Sequence, residues 1–338
     1  MSSKLSDKDI TTSNALINDD SAPTVSVFVG GTSGVGKFTI EALVRTGAST
    51  RIYLVGRKSS KERMETFIKE QHTINPKAEI VWVEGEVSLL ADSKRVCDVI
   101  KAKESRLDLL FLSAGYASLG GREETSEGLE VTQVLEYYSR MLFVQELMPL
   151  LKKAEAGRVV TVLGGGLEKV RSLDVDDLGL KKPGNFSPFK AQGHFLTMMT
   201  LHLEKLSKEN PDVTFVHSWP GWVNTGNVDR RAGPLGFFMN FLFTFIVKPL
   251  IRILSMSNET SGQRHLFEST SAYYGGNGIP WKGNAGVNTM GEHGNGVFLV
   301  NFRGNTSTNE KMLPVLREKA LEKVWEHTQE VFRPYLEG

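Results

Sequence analysis

Residues 25–43, VSVFVGGTSGVGKFTIEAL, constrain this chain more than any other stretch. Val25–Val29 is a short β-branched run that opens into a glycine-rich turn, and residues 37–46 then carry apolar positions at helical spacing until Gly47 stops them. Gly30, Gly34 and Gly36 fill the turn. Glycine there lets the backbone take positive φ and approach a pyrophosphate closely, and the N-terminus of the following helix favours anionic phosphates. A ligand-free βα turn is the alternative reading of the same residues.

The remainder of the chain repeats the strand–helix alternation. Strands are expected at 51–55, 80–83, 107–112, 158–163, 213–217 and 297–300. Between them helical patterns cover 59–69, 90–103, 129–151 and 188–208, with later helices near 262–268 and from about Lys311. Ser59 and Glu62 have capping-box spacing, and Ser187-Pro188 supplies an N-cap followed by an N1 proline. Alternation of this kind specifies an α/β fold, a Rossmann-like doubly wound parallel sheet. It reads as a single domain over 23–338 with a C-terminal extension, and residues 1–22 read as a disordered polar tail.

Charge and cysteine usage narrow the function. A formal charge of +1 gives no electrostatic case for nucleic acid as a partner. Cys97 is the one cysteine, so no internal disulfide framework exists and a reducing, cytoplasmic setting suits the chain. It reads as a small buried hydrophobe. The polar N-terminus lacks a signal-peptide pattern. The apolar stretch 235–254 is interrupted by Asn240, Lys248, Pro249 and Arg252, too often to span a bilayer. A lid, within about 226–256, and a peripheral membrane contact both stay open. His202 and His217 stand apart and no metal-ligand spacing occurs, so no metal is expected. The GGG at 164–166 contains no serine and is no nucleophile elbow.

The end of the second strand, YLVGRKSS, adds cofactor preference. A site choosing NAD usually carries a carboxylate here for the ribose hydroxyls. This chain has Gly56 followed by Arg57 and Lys58, which suits the 2′-phosphate of NADP(H) if a dinucleotide binds.

With these residues in view, the chain resembles the short-chain dehydrogenase/reductase family, in its fungal secondary-metabolism branch, from about Val25 to the C-terminus. Val29-Gly30 to Gly34-Val35-Gly36, with Thr32 and Ser33 between, is similar to the family's TGxxxGxG. Glu86 lies where the family has an adenine-contacting Asp, and Leu112-Ser113-Ala114-Gly115 matches NNAG in its last two residues. Pro220-Gly221-Trp222-Val223-Asn224-Thr225 matches PGxVxT, the loop that touches the nicotinamide end in the family.

The resemblance implies a tyrosine as general acid/base, a lysine four residues later, a serine and an asparagine. NFSPFK places Lys190 in the lysine slot and Phe186 in the tyrosine slot. The serine slot falls on Gly164, or on Leu163 or Gly165 with a one-residue slip, and the asparagine slot on Glu136. Lys190 then fits a ribose contact better than a proton relay. Another proton source is needed, since general acid–base help typically accounts for ~10²–10⁴ in rate. Glu136 and His194 lead the candidates, with Tyr137, Tyr138 and Ser187 behind them. Each has a bland reading: core packing for the tyrosines, a satisfied interior histidine, an N-cap, a surface carboxylate. Phe186, Phe189, Trp219, Trp222 and the aromatic run 237–245 imply a large apolar pocket for a bulky hydrophobic small molecule.

The expected activity is therefore an NADP(H)-dependent oxidoreductase of secondary metabolite biosynthesis, acting on a ketone or alcohol. A non-redox cyclase, isomerase or dehydratase and a catalytically dead binding protein are the alternatives. The long helix and the lysine-bearing helix often pair across a dimer interface in the family, so a homodimer and a monomer both remain open.

Overall fold

In the computed structural model, which describes residues 5–116, 120–223 and 255–337, eight strands form one sheet in the order β3-β2-β1-β4-β5-β6-β7-β8. They are β1 (Val25–Val29), β2 (Thr50–Gly56), β3 (Ala78–Glu84), β4 (Leu109–Leu112), β5 (Arg158–Val162), β6 (Thr214–Ser218), β7 (Val297–Val300) and β8 (Thr306–Ser307). All pairings are parallel except the last, in which β8 runs against β7. Every residue of β1, β4, β5, β6 and β7 is buried. That is why these strands read as continuous apolar runs rather than alternating ones.

Side chains still alternate between two cores. Val25, Val27 and Val29 enter one cluster while Phe28 enters the other, as a period of two demands. The first cluster packs against α4 (Leu90–Lys101), α5 (Ser139–Leu151), α6 (Pro188–Glu209) and α8 (Leu313–Leu336), and contains Cys97 as expected. The second packs against α1 (Asp7–Asn14), α2 (Gly34–Val44), α3 (Lys61–Ile74) and α7 (Asn258–Thr270).

Three local expectations are corrected. Residues 5–22 are not a loose tail: α1 starts at a Ser6–Asp9 capping box, buries Ile10, and is tied to α7 by Asp7 to Arg264 and by Asn14 to Gln263. The Ser59–Glu62 box does not form, because a 3₁₀ turn at Lys58–Ser60 precedes α3 and Ser60 takes the N-cap without a side-chain bond. The long helix before β5 is interrupted near its start. A single turn at Val131–Gln133 passes into a π turn, Val134–Tyr138, before α5 resumes.

The C-terminal helix α8 closes the first core over α6. Tyr137 sits 2.7 Å from Thr328 and 3.1 Å from His202, whose other ring nitrogen lies 2.9 Å from Gln145. Thr328 donates to the Val324 carbonyl, so the Tyr137 hydroxyl must donate to Thr328 and His202 Nδ1 to Tyr137. Every donor in that chain is spent. Tyr138 meets His327 at 2.7 Å, so the tyrosine pair is core structure.

The strand order positions the site. Successive strands step outward from β1 to β3, and the chain then returns to the other side of β1 with β4. At such a switch point the loops diverge and leave a crevice beyond the carboxyl ends of the strands.

Candidate active site

A cleft of about 830 Å³ lies at that crevice. Its described lining brings together Gly30, Thr32, Ser33, Gly34, Val35, Arg57, Glu86, Ala114, Gly115, Pro220 and Val223, all expected from sequence at a dinucleotide site. Gly30 has φ +101°, and a Cβ there would fall 2.3 Å from the Ala114 nitrogen. Only glycine fits, and the floor is backbone, as a pyrophosphate cradle requires. Gly36 packs beneath the turn, where a Cβ would come within 2.8 Å of the Ser113 hydroxyl. Thr225 lies outside the described residues, as do residues 226–254.

Position 56 carries a second steric statement. A Cβ on Gly56 would meet the Trp82 ring at 2.5 Å and the Thr32 methyl at 2.6 Å. A ribose-binding carboxylate therefore has no room at the end of β2. Arg57 is exposed at the same rim, and Arg63 of α3 donates to the Thr32 carbonyl at 2.9 Å. Glu86 faces the cleft with its carboxylate accepting from the Ser88 hydroxyl at 2.8 Å.

The other end of the cleft is built on the π turn. Turns of this kind are single-turn interruptions of α-helices, frequent at functional sites. Here one brings Glu136 under Gly115: a Cβ on Gly115 would touch Glu136 Oε1 at 3.0 Å. Gln192 of α6 donates to Glu136 Oε2 at 2.5 Å, and the Tyr116 backbone N–H also donates to the carboxylate. Burial pushes the Glu136 carboxyl up to about 7, against the lowering influence of the Arg140 charge and the Gln192 bond. A buried acid near neutrality can both give and take a proton. Around it Leu135, Val131, Leu163, Val162, Tyr116 and Trp222 make the wall largely apolar.

Several sequence-derived candidates stand elsewhere. Ser187 is the N-cap of α6 and accepts from the Lys190 N–H, so Phe186 precedes the helix and packs against the first core. Phe186 and Lys190 do not share a helical face. Lys190 is absent from the described lining of the cleft; its ammonium bonds the Asn185 amide oxygen and lies 3.5 Å from Asp174. His194 is fully buried, with Nε2 at 3.1 Å from the Leu178 carbonyl and Nδ1 accepting from the Asp174 N–H. Burial holds it down to about 4, a satisfied interior histidine rather than a base. Gly164 lies under Leu196 and donates its N–H to His217, leaving Leu163 as the serine-slot residue that faces the cleft.

Sequence reasoning missed Gln192, Arg140 and Tyr116. The signal for Gln192 was present: with the N-cap fixed at Ser187, residues 190 and 192 lie about 200° apart on the helix. Only one of them can face the cleft.

Residues 24–232 match the family described as short chain dehydrogenase. The chain belongs to this family. Among curated relatives, oxidoreductase AN1596 of Emericella nidulans is 37% identical over 313 residues, covering 90% of this chain and 91% of its own. Short-chain dehydrogenase/reductase SAT2 of Stachybotrys chartarum is 27% identical over 327 residues, covering 90% of each. Among solved structures, the NADPH-dependent 3-quinuclidinone reductase of Rhodotorula rubra superposes with a TM-score of 0.53 at 15% identity, over 76% of this chain and 87% of its own. That likeness is one of fold. The short-chain dehydrogenase assignment accounts for the sheet, the glycine turn and the PGxVxT-like loop, and it leaves the catalytic chemistry to this chain's own residues.

Proposed function

We propose that this short-chain dehydrogenase is an NADP(H)-dependent oxidoreductase acting on a ketone or alcohol of a bulky apolar natural-product intermediate, with Glu136 as its proton-exchanging group. The observation that carries the reading is the Glu136 carboxyl, buried under Gly115 in the same cleft that the glycine turn lines and bonded to Gln192.

A nicotinamide cofactor, when bound, supplies or accepts the hydride. Gly30, Gly34 and the start of α2 would take its phosphates, and Arg57 its 2′-phosphate, because Gly56 offers no carboxylate to repel one. Glu136 gives a proton to the substrate oxygen in reduction and takes it back in oxidation. Gln192 fixes which carboxyl oxygen is turned away from the exchange. Leu135 and Leu163 keep water from the reacting carbon and favour an apolar substrate. The fungal relatives, an oxidoreductase and a short-chain dehydrogenase/reductase by name, support the redox class, and the setting in secondary metabolism is part of the proposal.

The first test is titration of the purified protein with NADPH and NADH by calorimetry. Tight binding of NADPH and weak binding of NADH is expected, and no binding of either would end the redox reading.

One observation favours a second reading. Lys190 is held by Asn185 and Asp174, and Phe186 and Leu163 carry no hydroxyl. A proton-transfer enzyme, an isomerase, cyclase or dehydratase, would need only Glu136. Transfer of deuterium from 4-deuterated NADPH to product separates the two.

A further inference from the structure

Arg140 begins one helical turn after Glu136 and is 2% exposed. Burying a guanidinium is costly unless both its donors and its charge are answered. The donors are. Nη2 bonds the Ala114 carbonyl at 2.6 Å, Nη1 bonds Thr161 Oγ1 and the Val162 carbonyl at 2.9 Å each, and Nε reaches the Leu135 carbonyl at 3.3 Å. Those acceptors come from the end of β4, from β5 and from the π turn. One side chain thus ties together the three segments that shape the inner end of the cleft.

All four acceptors are neutral, so the charge is answered elsewhere. Both Arg140 Nη2 and Glu136 Oε1 border the same point beside Gly115, at 3.4 and 3.0 Å from a Cβ placed there. The other groups facing Glu136 bring no positive charge: Gln192 is an amide, Tyr116 a phenol that burial keeps protonated, and Glu130 a carboxyl that burial raises. His217 of β6, which faces Arg140, accepts from the Gly164 N–H at 3.2 Å and is held neutral by burial. Ionised Glu136 offsets the Arg140 charge through the field between them, without a direct salt bridge, and protonated Glu136 leaves a buried cation. Burial pulls one way and Arg140 the other.

We propose that Arg140 is the positioning residue of the proton-exchanging site, clamping β4 and β5 to the π turn and, by its charge, letting Glu136 release its proton. The proposal rests on the reading of Glu136 as the proton-exchanging group.

The test is a ¹³C NMR titration of protein labelled at the glutamate δ-carbon, from pH 5 to 9, with Glu136→Gln to assign the signal. In the wild type the Glu136 signal should titrate near neutrality. Arg140→Met should raise the midpoint by at least one unit, a tenfold change in proton affinity, and Arg140→Lys should move it much less. Arg140→Gln retains an amide donor for Ala114 or Thr161 and carries the test if the methionine variant does not fold. An unchanged midpoint in either folded neutral variant would overturn the role of Arg140 while leaving Glu136 in place. A wild-type signal that does not titrate across this range would overturn the reading of Glu136, and this proposal with it.

Discussion

Lys190 and Gln192 face opposite ways from the first turns of α6, the lysine to Asp174 at 3.5 Å and the glutamine to Glu136 at 2.5 Å. Two residues along a helix turn the side chain by about 200°, so the cleft receives the amide and the loop at 173–185 receives the cation. Asn185 is shared there, its amide nitrogen bonding Asp174 at 3.0 Å and Asp177 at 2.5 Å.

Lys190→Ala is accordingly expected to leave NADPH affinity within about threefold of the wild type. The ion pair is partly exposed, so its loss should cost roughly 0–1 kcal/mol of stability. Fluorescence titration and thermal melts check both. A tenfold loss of affinity would place the ammonium on the cofactor after all.

Phe186→Tyr should not create carbonyl reductase activity. The ring precedes the α6 N-cap and packs on the core, so a hydroxyl added there does not reach the Glu136 end of the cleft. Rates with a panel of hydrophobic ketones should change less than tenfold. Glu136→Gln, in contrast, should lower the turnover by about 10²–10⁴.

At the other end, Arg57→Ala should weaken NADPH binding by roughly tenfold or more and leave NADH binding nearly unchanged, since a charge-assisted bond is about twice as strong as a neutral one. Gly56→Asp should not produce an NAD enzyme. The new side chain would run into Trp82 and Thr32, and overpacking of that kind typically costs about 1–3 kcal/mol. Calorimetry with both cofactors, alongside melting temperatures, separates the two outcomes.

Stability should peak near pH 6–7. Burial holds His202 and His217 down to about 3 and His194 and His265 to about 4, from 6.5. The unfolded chain takes those protons first, so stability is lost as pH falls below 6.5. Burial raises Glu136 to about 7 and Glu268 to about 8 from 4.5, so the folded chain keeps protons that the unfolded chain has released. Their contribution is present below 4.5 and is lost as pH rises through 7 and 8. Glu136→Gln should therefore stabilise the protein at pH 8 by roughly 1–3 kcal/mol and do little at pH 5. Melting temperatures across pH 4–9 decide it.

A homodimer through α5 and α6 is not expected. The helix α8 packs along α6 and reaches Tyr137 and Tyr138, supplying from within the chain the cover that a second copy would give. Light scattering should report a monomer. A dimer broken by charged substitutions on α6 would overturn this.

Much of this architecture could be read from the chain itself. Val25–Val29 and Val297–Val300 fold as read, because strands buried on both faces are written as unbroken apolar runs. The glycine turn was legible because only backbone can lie so close to Ala114. Helix α1 was not, since its sequence is polar apart from Ile10 and its support comes from Arg264 and Gln263, some 250 positions away. The Glu136 end of the cleft was half legible. Counting brought Glu136 to the asparagine slot and the structure puts it on the cleft, but the π turn that aims it there has no sequence signature, and Lys190 lies off the described lining because the N-cap at Ser187 fixes a different helical phase from the one its motif implies.

The hydrogen-bond chain through Thr328 also orders events in time. Tyr137 and His202 are made early by the ribosome, yet the hydroxyl that accepts from Tyr137 belongs to a 24-residue helix made only after every strand of the sheet. Until α8 is in place, the α6 face of the sheet exposes apolar surface and a Tyr137 hydroxyl without its Thr328 acceptor, the kind of partly folded species that aggregates or recruits chaperones. A truncation that removes α8 should therefore show first as poor yield from the cell, before any change in the chemistry of the cleft.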